Sequence, residues 1–307
     1  MKKVFIDGSS GTTGLRIRQR LSERSDIELL SLADEDRHDE AKRLSAIDEA
    51  DVAFLCLPDQ EALNICKLAS GVDTVIIDTS TAHRTDPGWV YGMPELPGQH
   101  EKIKNSKRIA NPGCHASGFI ALIKPLVDAG LLKKEARITC TSLTGYSGGG
   151  KKMISEYENV SRGPGLDSPG TYALTQNHKH LKEMKAICGL DDPPAFMPVV
   201  GDFYSGMQTL IPLFSKDLNG DAEDVRKVLR SAYPSGVIRY SEEATESGFI
   251  YANEMAGSDG MRIGVSGNGE RILLYALFDN LGKGASGAAV QNMNIALGLP
   301  ETIGLKL

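Results

Sequence analysis

The chain has 307 residues, enough for one large domain or two modest ones. Hydrophobic residues at 41% and charged residues at 24% are ordinary globular proportions and exclude a disordered chain. Lys+Arg 34 against Asp+Glu 40 gives a net charge of −6, and no Lys/Arg block marks a nucleic-acid or anionic-membrane partner. A pocket for a single phosphate is still allowed. No apolar run approaches the roughly 20 residues of a membrane span. The apolar stretch after Lys2-Lys3 stops at Asp7, which reads as a strand and not as an export signal. Cys56, Cys66, Cys114, Cys140 and Cys188 are odd in number and contain no C-x-x-C pair. They point away from a disulfide framework or a zinc knuckle, and towards a reduced, cytoplasmic protein without a metal.

In chain order, Lys3–Asp7 predicts a strand, Gly8 to Gly14 a glycine loop, and Leu15, Ile17 and Leu21 the apolar face of a helix. Strands follow at Ile27–Leu32, Ala50–Leu57 and Val72–Asp78, with a charged turn at 33–37 and a helical stretch from Pro58-Asp59 to Ser70. Strands alternating with helices imply crossover connections and a parallel sheet. After Thr79 a loop-rich stretch leads to a strand at Arg108–Ala110. Asn111-Pro112-Gly113-Cys114 then opens a long helix that Pro125 is expected to kink or split. From about Ala136 the texture changes to strands at Arg137–Leu143, Gly206–Phe214, Gly260–Ser266 and Arg271–Phe278, spaced as in an antiparallel sheet. Helices are expected at 179–187, 222–232 and 283–297. The fold class is therefore α/β: a Rossmann-like dinucleotide-binding domain (1–113 with 283–307) plus an α+β catalytic domain with a mostly antiparallel sheet (114–282).

Gly8, Gly11 and Gly14 form G-x-x-G-x-x-G between the first strand and the first helix. Such a loop lets backbone approach a pyrophosphate at a helix N-terminus, where N–H groups and the dipole favour negative charge. Asp34, about 20 residues past Gly14, suits the ribose 2′-hydroxyl of NAD, whereas Ser31 and Arg37 beside it suit a 2′-phosphate. Both readings stay open on the residues alone.

Cys114 stands at a helix start, where the dipole favours a thiolate. The other four cysteines lie in apolar runs or a helix and read as packing. A thiol nucleophile beside a nicotinamide interconverts acyl groups and aldehydes. The proton partner is sought among the histidines. His38 and His100 sit in charged stretches, His115 is adjacent to Cys114 but points apart from it on a helix, and His178-Lys179-His180 precedes a helix. Ser147 with Gly148-Gly149-Gly150 and Lys151-Lys152 reads as an anion nest next to a helix, or as a flexible turn with solvated lysines. Asn280 to Gly284 reads as another close backbone approach.

These pieces together resemble the N-acetyl-γ-glutamyl-phosphate reductase family of arginine biosynthesis, in its shorter form and nearly end to end. The resemblance rests on the glycine loop, Asn111 to Cys114, Gly145-x-Ser147-Gly148-Gly149, His178-Lys179-His180 and Asp279-Asn280-Leu281-x-Lys283-Gly284-Ala285. His115-Ala116-Ser117 replaces the Tyr-Pro-Thr of long-form members, and Lys182 stands where proline is common. The resemblance implies NADPH-dependent reduction of an acyl phosphate through a Cys114 thioester, with His180 preferred over His178 as acid/base. It implies substrate contacts from Asn111, Ser147, Gly148, Gly149 and His178. The expected NADP contacts are Gly8, Ser10, Gly11, Thr12, Thr13, Gly14, Ser31, Arg37, Leu57, Pro58, Ser80, Asn280 and Gly284. The expected partners are a small-molecule acyl phosphate and copies of the chain itself. Aspartate-semialdehyde dehydrogenase is the neighbouring enzyme reading, and a non-catalytic NADP(H) sensor the reading from a different class.

Overall fold

Strand β1 (Lys2–Asp7) is buried from Val4 onward, and Gly8 ends it. The computed structural model describes residues 1–242 and 247–307. Behind β1 come α1 (Thr12–Ser22), β2 (Ile27–Leu30), α2 (Glu40–Glu49), β3 (Val52–Leu55), α3 (Asp59–Leu68), β4 (Val75–Asp78), β5 (Val90–Tyr91), α4 (Gln99–Lys104) and β6 (Arg108–Ala110). The six strands form one wholly parallel sheet in the order β2-β1-β3-β4-β6-β5.

Alternation within each strand decides which layer it feeds. Val4, Ile6, Val52, Phe54, Val75 and Ile77 face Ile17 and Leu21 of α1 together with Val290 and Met293 near the C-terminus. Phe5, Ala53, Leu55 and Ile76 face Ile47 of α2 and Ile65 of α3. Burial on both faces is what a parallel sheet needs. Each buried Leu or Ile contributes about 1.5–3 kcal/mol. Because β2 pairs on one side of β1 and β3 on the other, the strand order reverses at β1. The open crevice of such a sheet lies at the C-terminal ends of those strands.

The chain divides into two units, residues 1–112 with 285–305 and residues 113–284 with 306–307. The second unit begins with α5 (Cys114–Asp128) and continues through β7 (Thr139–Gly145), α6 (Gly150–Tyr157), β8 (Gly170–Thr171), α7 (Leu181–Cys188), β9 (Ala195–Gly201), β10 (Met207–Phe214), α8 (Ala222–Ala232), β11 (Ile238–Ser241), β12 (Met261–Gly267) and β13 (Arg271–Phe278). Its sheet runs β11-β12-β13-β10-β7-β9-β8. It is mostly antiparallel, with β11–β12 and β7–β9 parallel. A π-helical turn at Gly282–Ser286 leads into α9 (Gly287–Ala296), which belongs to the first unit.

Several elements depart from the sequence reading. Helix α5 is not split at Pro125: it runs unbroken from Cys114 to Asp128, and the proline falls in its last turn, with little helix left beyond it to redirect. The run from Val72 becomes a strand only at Val75, after a 3₁₀ turn at Ala69–Gly71. Strand β9 and helix α2 were not anticipated. Among the described residues no helix is long and apolar enough to cross a membrane.

Candidate active site

In the first unit a cleft of about 620 Å³ opens at the reversal point, lined by Gly8, Ser10, Gly11, Ser31, Arg37, Leu57 and Pro58 among others. That size lies within the range of cofactor pockets. Gly8 has φ +82, and a Cβ there would stand 2.3 Å from the Cys56 carbonyl oxygen. A Cβ on Gly14 would stand 2.4 Å from the Gly8 carbonyl oxygen, whereas one on Gly11 meets nothing nearer than 3.5 Å. Gly8 therefore makes the turn, Gly14 lets helix meet loop, and Gly11 leaves space at the N-cap of α1. No side chain caps that helix and no acidic residue occupies its first turn. An anion is favoured at such an end. Thr12, Thr13 and Gly14 form its first turn.

Asp34 and Arg37 line the same cleft and pair with each other at 2.7 Å, Asp34 being 84% exposed. Beneath the loop, Asp7 is buried against Arg43 at 2.8 Å. Burial nevertheless outweighs Arg43 and raises the Asp7 carboxyl above its usual range. Ser80 donates from N–H and Oγ to the fully buried Asp78 at 2.9 and 2.7 Å. Asn111 donates to the Ala285 carbonyl at 3.1 Å and accepts from Asn292 at 3.2 Å.

In the second unit Cys114 is the first residue of α5, with Gly113 as N-cap. The Gly113 N–H donates to buried Glu183 at 3.1 Å. Glu183 lies on α7, and its other oxygen is 4.0 Å from His180 Nε2. His180 caps α7 and donates its backbone N–H to His178 Nδ1 at 3.2 Å. Burial, and then the Lys179 charge, push His178 down to about 4, so it is neutral near pH 7. With Nδ1 accepting, its single ring proton sits on Nε2, leaving that atom as a donor.

The rings of His115, His178 and His180 pack together, with centroids 4.7 to 5.7 Å apart. His115 also bonds Ser142 Oγ and the Tyr172 hydroxyl at 2.7 Å each. Ser147 is buried and accepts from Asn280 at 3.0 Å, and Asn280 in turn accepts from the Gly206 N–H at 2.9 Å. Gly148 and Gly149 lie exposed on the same 3₁₀ turn. A Cβ on Gly284 would meet Cys114 Cβ at 3.0 Å, so this glycine permits close packing on the thiol's own residue. Burial pushes the Cys56 and Cys66 thiols up to about 12, and raises Cys140 and Cys188 as well.

The second unit thus brings Cys114, His178, His180, Ser147, Asn280 and Gly284 into one fold unit. Ser80, Asn111 and the glycine loop belong to the first. Tyr172 and Glu183 were missed in the sequence, and His115 was weighed there only against Cys114 and set aside. Glu183 had a signal, because H-x-x-E places both side chains on one helical face. Tyr172 had none.

Residues 3–106 match the semialdehyde dehydrogenase NAD binding domain and residues 114–280 the semialdehyde dehydrogenase dimerisation domain. N-acetyl-γ-glutamyl-phosphate reductase 2 of Nostoc sp. is 44% identical, covering 99% of both chains. The reductase of Brucella anthropi is 45% identical, over 96% of this chain and 98% of its own. The chain belongs to the N-acetyl-γ-glutamyl-phosphate reductase family. Solved structures place the family's fold more broadly. Aspartate semialdehyde dehydrogenase II of Vibrio cholerae superposes with a TM-score of 0.74 at 19% identity, over 97% of this chain and 98% of that one. The Candida albicans enzyme with NADP gives 0.68 at 16% identity, over 97% and 99%. At such identities the likeness is one of fold. As a member of the reductase family, the chain has a nicotinamide-dinucleotide-binding first unit and a mostly antiparallel second sheet.

Proposed function

We propose that this protein reduces N-acetyl-L-glutamyl 5-phosphate to N-acetyl-L-glutamate 5-semialdehyde and inorganic phosphate, as a cytoplasmic homo-oligomer. The observation that carries this reading is the end-to-end likeness to reductases of that name. The dimerisation-domain match supports self-association. The catalytic domain is taken as 114–282, and the dinucleotide-binding domain as 1–113 with 283–307.

His180 takes the proton of Cys114, and the thiolate attacks the acyl carbonyl. The carbon–oxygen bond to phosphate breaks, phosphate leaves, and a thioester remains on Cys114. NADPH, when bound, supplies the hydride that this thioester accepts. The adduct on Cys114 then expels the sulfur as the aldehyde forms, and His180 returns the proton to the thiolate. His178 is too weak a base for that task, but its Nε2–H suits a substrate oxygen. Ser147, Gly148, Gly149 and Asn111 are assigned to holding substrate, and Ser80, Asn280 and Gly284 to bordering the cofactor. Gly8 to Gly14 hold the pyrophosphate, with Ser10, Thr12 and Thr13 offering hydroxyls. Ser31 and Arg37 take the 2′-phosphate that distinguishes NADP from NAD, and Leu57 and Pro58 wall the cleft.

The test runs the reaction backwards. Purified protein receives NADP and N-acetylglutamate 5-semialdehyde, with and without inorganic phosphate. Phosphate-dependent NADPH formation, lost in Cys114→Ala, is expected. Equal or better turnover of aspartate semialdehyde would replace the substrate assignment, and cofactor binding without any turnover would leave a sensor.

A further inference from the structure

An acceptor for a ribose hydroxyl and a cation for a ribose phosphate share one turn of this chain. Asp34–Asp36 is a 3₁₀ turn, and Arg37 is its C-cap. Side chains three residues apart eclipse one another in such a turn. The backbone itself therefore pairs the Asp34 carboxylate with Arg37 Nη2, at 2.7 Å. Both side chains line the cleft of the glycine loop. We propose that Asp34 is a specificity-determining residue that opposes Arg37: it weakens the grip on the 2′-phosphate of NADPH and offers an acceptor to the 2′-hydroxyl of NADH. This deepens the reading of Arg37 as the 2′-phosphate contact and rests on it.

The charges that line the cleft cancel. Arg43 is committed to Asp7, with Nε at 2.9 Å and Nη2 at 2.8 Å from the same carboxylate oxygen, and both residues are buried. Arg37 is held by Asp34, and the lining also carries Arg18 and Glu61, one cation and one anion, with His38. Its arginines are thus matched one for one by carboxylates, and they offer a phosphate dianion no surplus of positive charge. A guanidinium recognises phosphate best with two parallel N–H bonds, and here Nη2 is already spent on Asp34. A 2′-phosphate must part the pair, and the displaced carboxylate stays tethered three residues away, where it repels the dianion. A 2′-hydroxyl needs no such opening, because it can donate to the carboxylate while Arg37 keeps that group in place. Asp34 is 84% exposed and can turn out to water, so its opposition lowers the preference without abolishing it.

The experiment reads binding and not turnover, so it does not depend on the substrate. NADPH and NADH are titrated by fluorescence, and the fragments 2′,5′-ADP and 5′-ADP by calorimetry, all at low ionic strength. Asp34→Asn removes the charge and keeps a carbonyl acceptor. It is expected to tighten NADPH and 2′,5′-ADP about five- to tenfold and to leave NADH within about twofold. Asp34→Ala tightens NADPH equally but weakens NADH about fivefold, because the acceptor is gone as well. The gain for NADPH shrinks in roughly 0.5 M salt, as it must for exposed charges. Asp34 is exposed, so neither substitution threatens the fold. Unchanged NADPH affinity in Asp34→Asn, or equal tightening of NADPH and NADH, overturns the proposal. Failure of the parent reading looks different: Arg37→Ala would then weaken NADH as much as NADPH. An NADPH preference that depends on Arg37 but is untouched by Asp34→Asn overturns this inference alone.

Discussion

Replacing Gly8 by alanine separates the conformational demand of the loop from its demand for space around a phosphate. At φ +82 an L side chain costs about 1–2 kcal/mol. The added Cβ would also sit 2.3 Å from the Cys56 carbonyl oxygen and 2.9 Å from its carbon. Those are backbone atoms, so no flexible side chain can give way. Relief requires the C-terminal ends of β1 and β3 to part, where the Cys56 N–H donates to the Asp7 carbonyl at 2.8 Å. Overpacking of this kind costs about 1–3 kcal/mol more. The sum, about 2–5 kcal/mol, corresponds to a fall in Tm of roughly 5–15 °C for a unit of this size. Gly14→Ala is expected to behave similarly, its Cβ standing 2.4 Å from the Gly8 carbonyl oxygen. Gly11→Ala has nothing nearer than 3.5 Å and should leave Tm within about 1–2 °C while weakening NADPH binding. Calorimetry with and without NADPH, alongside fluorescence titration of the cofactor, measures both effects. A Gly8→Ala protein as stable as wild type, or Gly11→Ala as the most destabilised of the three, would refute the reasoning.

Cys114→Ser is expected to lose turnover about a thousandfold or more while binding NADPH normally, as rapid kinetics and a binding titration would show. Arg37→Ala should raise the Kd for NADPH about tenfold and leave that for NADH unchanged; equal weakening of both would remove Arg37 from the 2′-phosphate. Arg43→Met leaves the Asp7 carboxyl buried without its ion-pair partner, at a cost of about 3 kcal/mol, and Asp7→Asn in the same chain should recover much of it in urea unfolding. For His115 and His178, burial pushes the imidazoles down to about 3 and about 4, below the ordinary value near 6.5. The unfolded chain therefore binds more protons on acidification, so their contribution to stability is complete above about pH 6.5 and declines as pH falls towards 4. Urea midpoints should drop across that window, and His178→Gln should flatten the slope. A wild-type slope unchanged by that substitution would contradict it.

The first half of the fold was legible because its signals are local. Apolar runs of four or five residues bounded by turn residues, then Gly8, Gly11 and Gly14 at a strand–helix junction, define a crossover unit without any long-range information. Helix α2 escaped although Asp39 caps it with two backbone N–H bonds and Arg43, Ala46 and Ile47 form its buried stripe. Its charged surface masks that stripe in the sequence. Strand β9 escaped because Pro198 lies at its centre and cannot donate to a ladder. The fold accommodates it because the Pro198 carbonyl still accepts from the Tyr172 N–H at 3.1 Å.

The site was legible in its nucleophile and not in what surrounds it. Position 114 could be singled out because a helix start acts on the thiol through its own backbone. The reason that set His115 aside is sound as far as it goes: consecutive helical residues diverge. Divergence, however, only removes His115 from the sulfur and says nothing of what it meets instead. Its partners, Ser142 on β7 and Tyr172 just beyond β8, are 27 and 57 residues away and come within reach only when the sheet pairs β8 with β9 and β9 with β7. The missed strand and the missed histidine are therefore one omission. Without β9 nothing carries Tyr172 to the start of α5. A substitution that disrupts β9, such as Val200→Pro, which sits between Thr144 of β7 and Gly170 of β8, is accordingly expected to loosen the hold on Tyr172, whose N–H donates to the Pro198 carbonyl. Hydrogen exchange that left the Tyr172 amide as protected as in the wild type would show that the sheet is not what places the phenol.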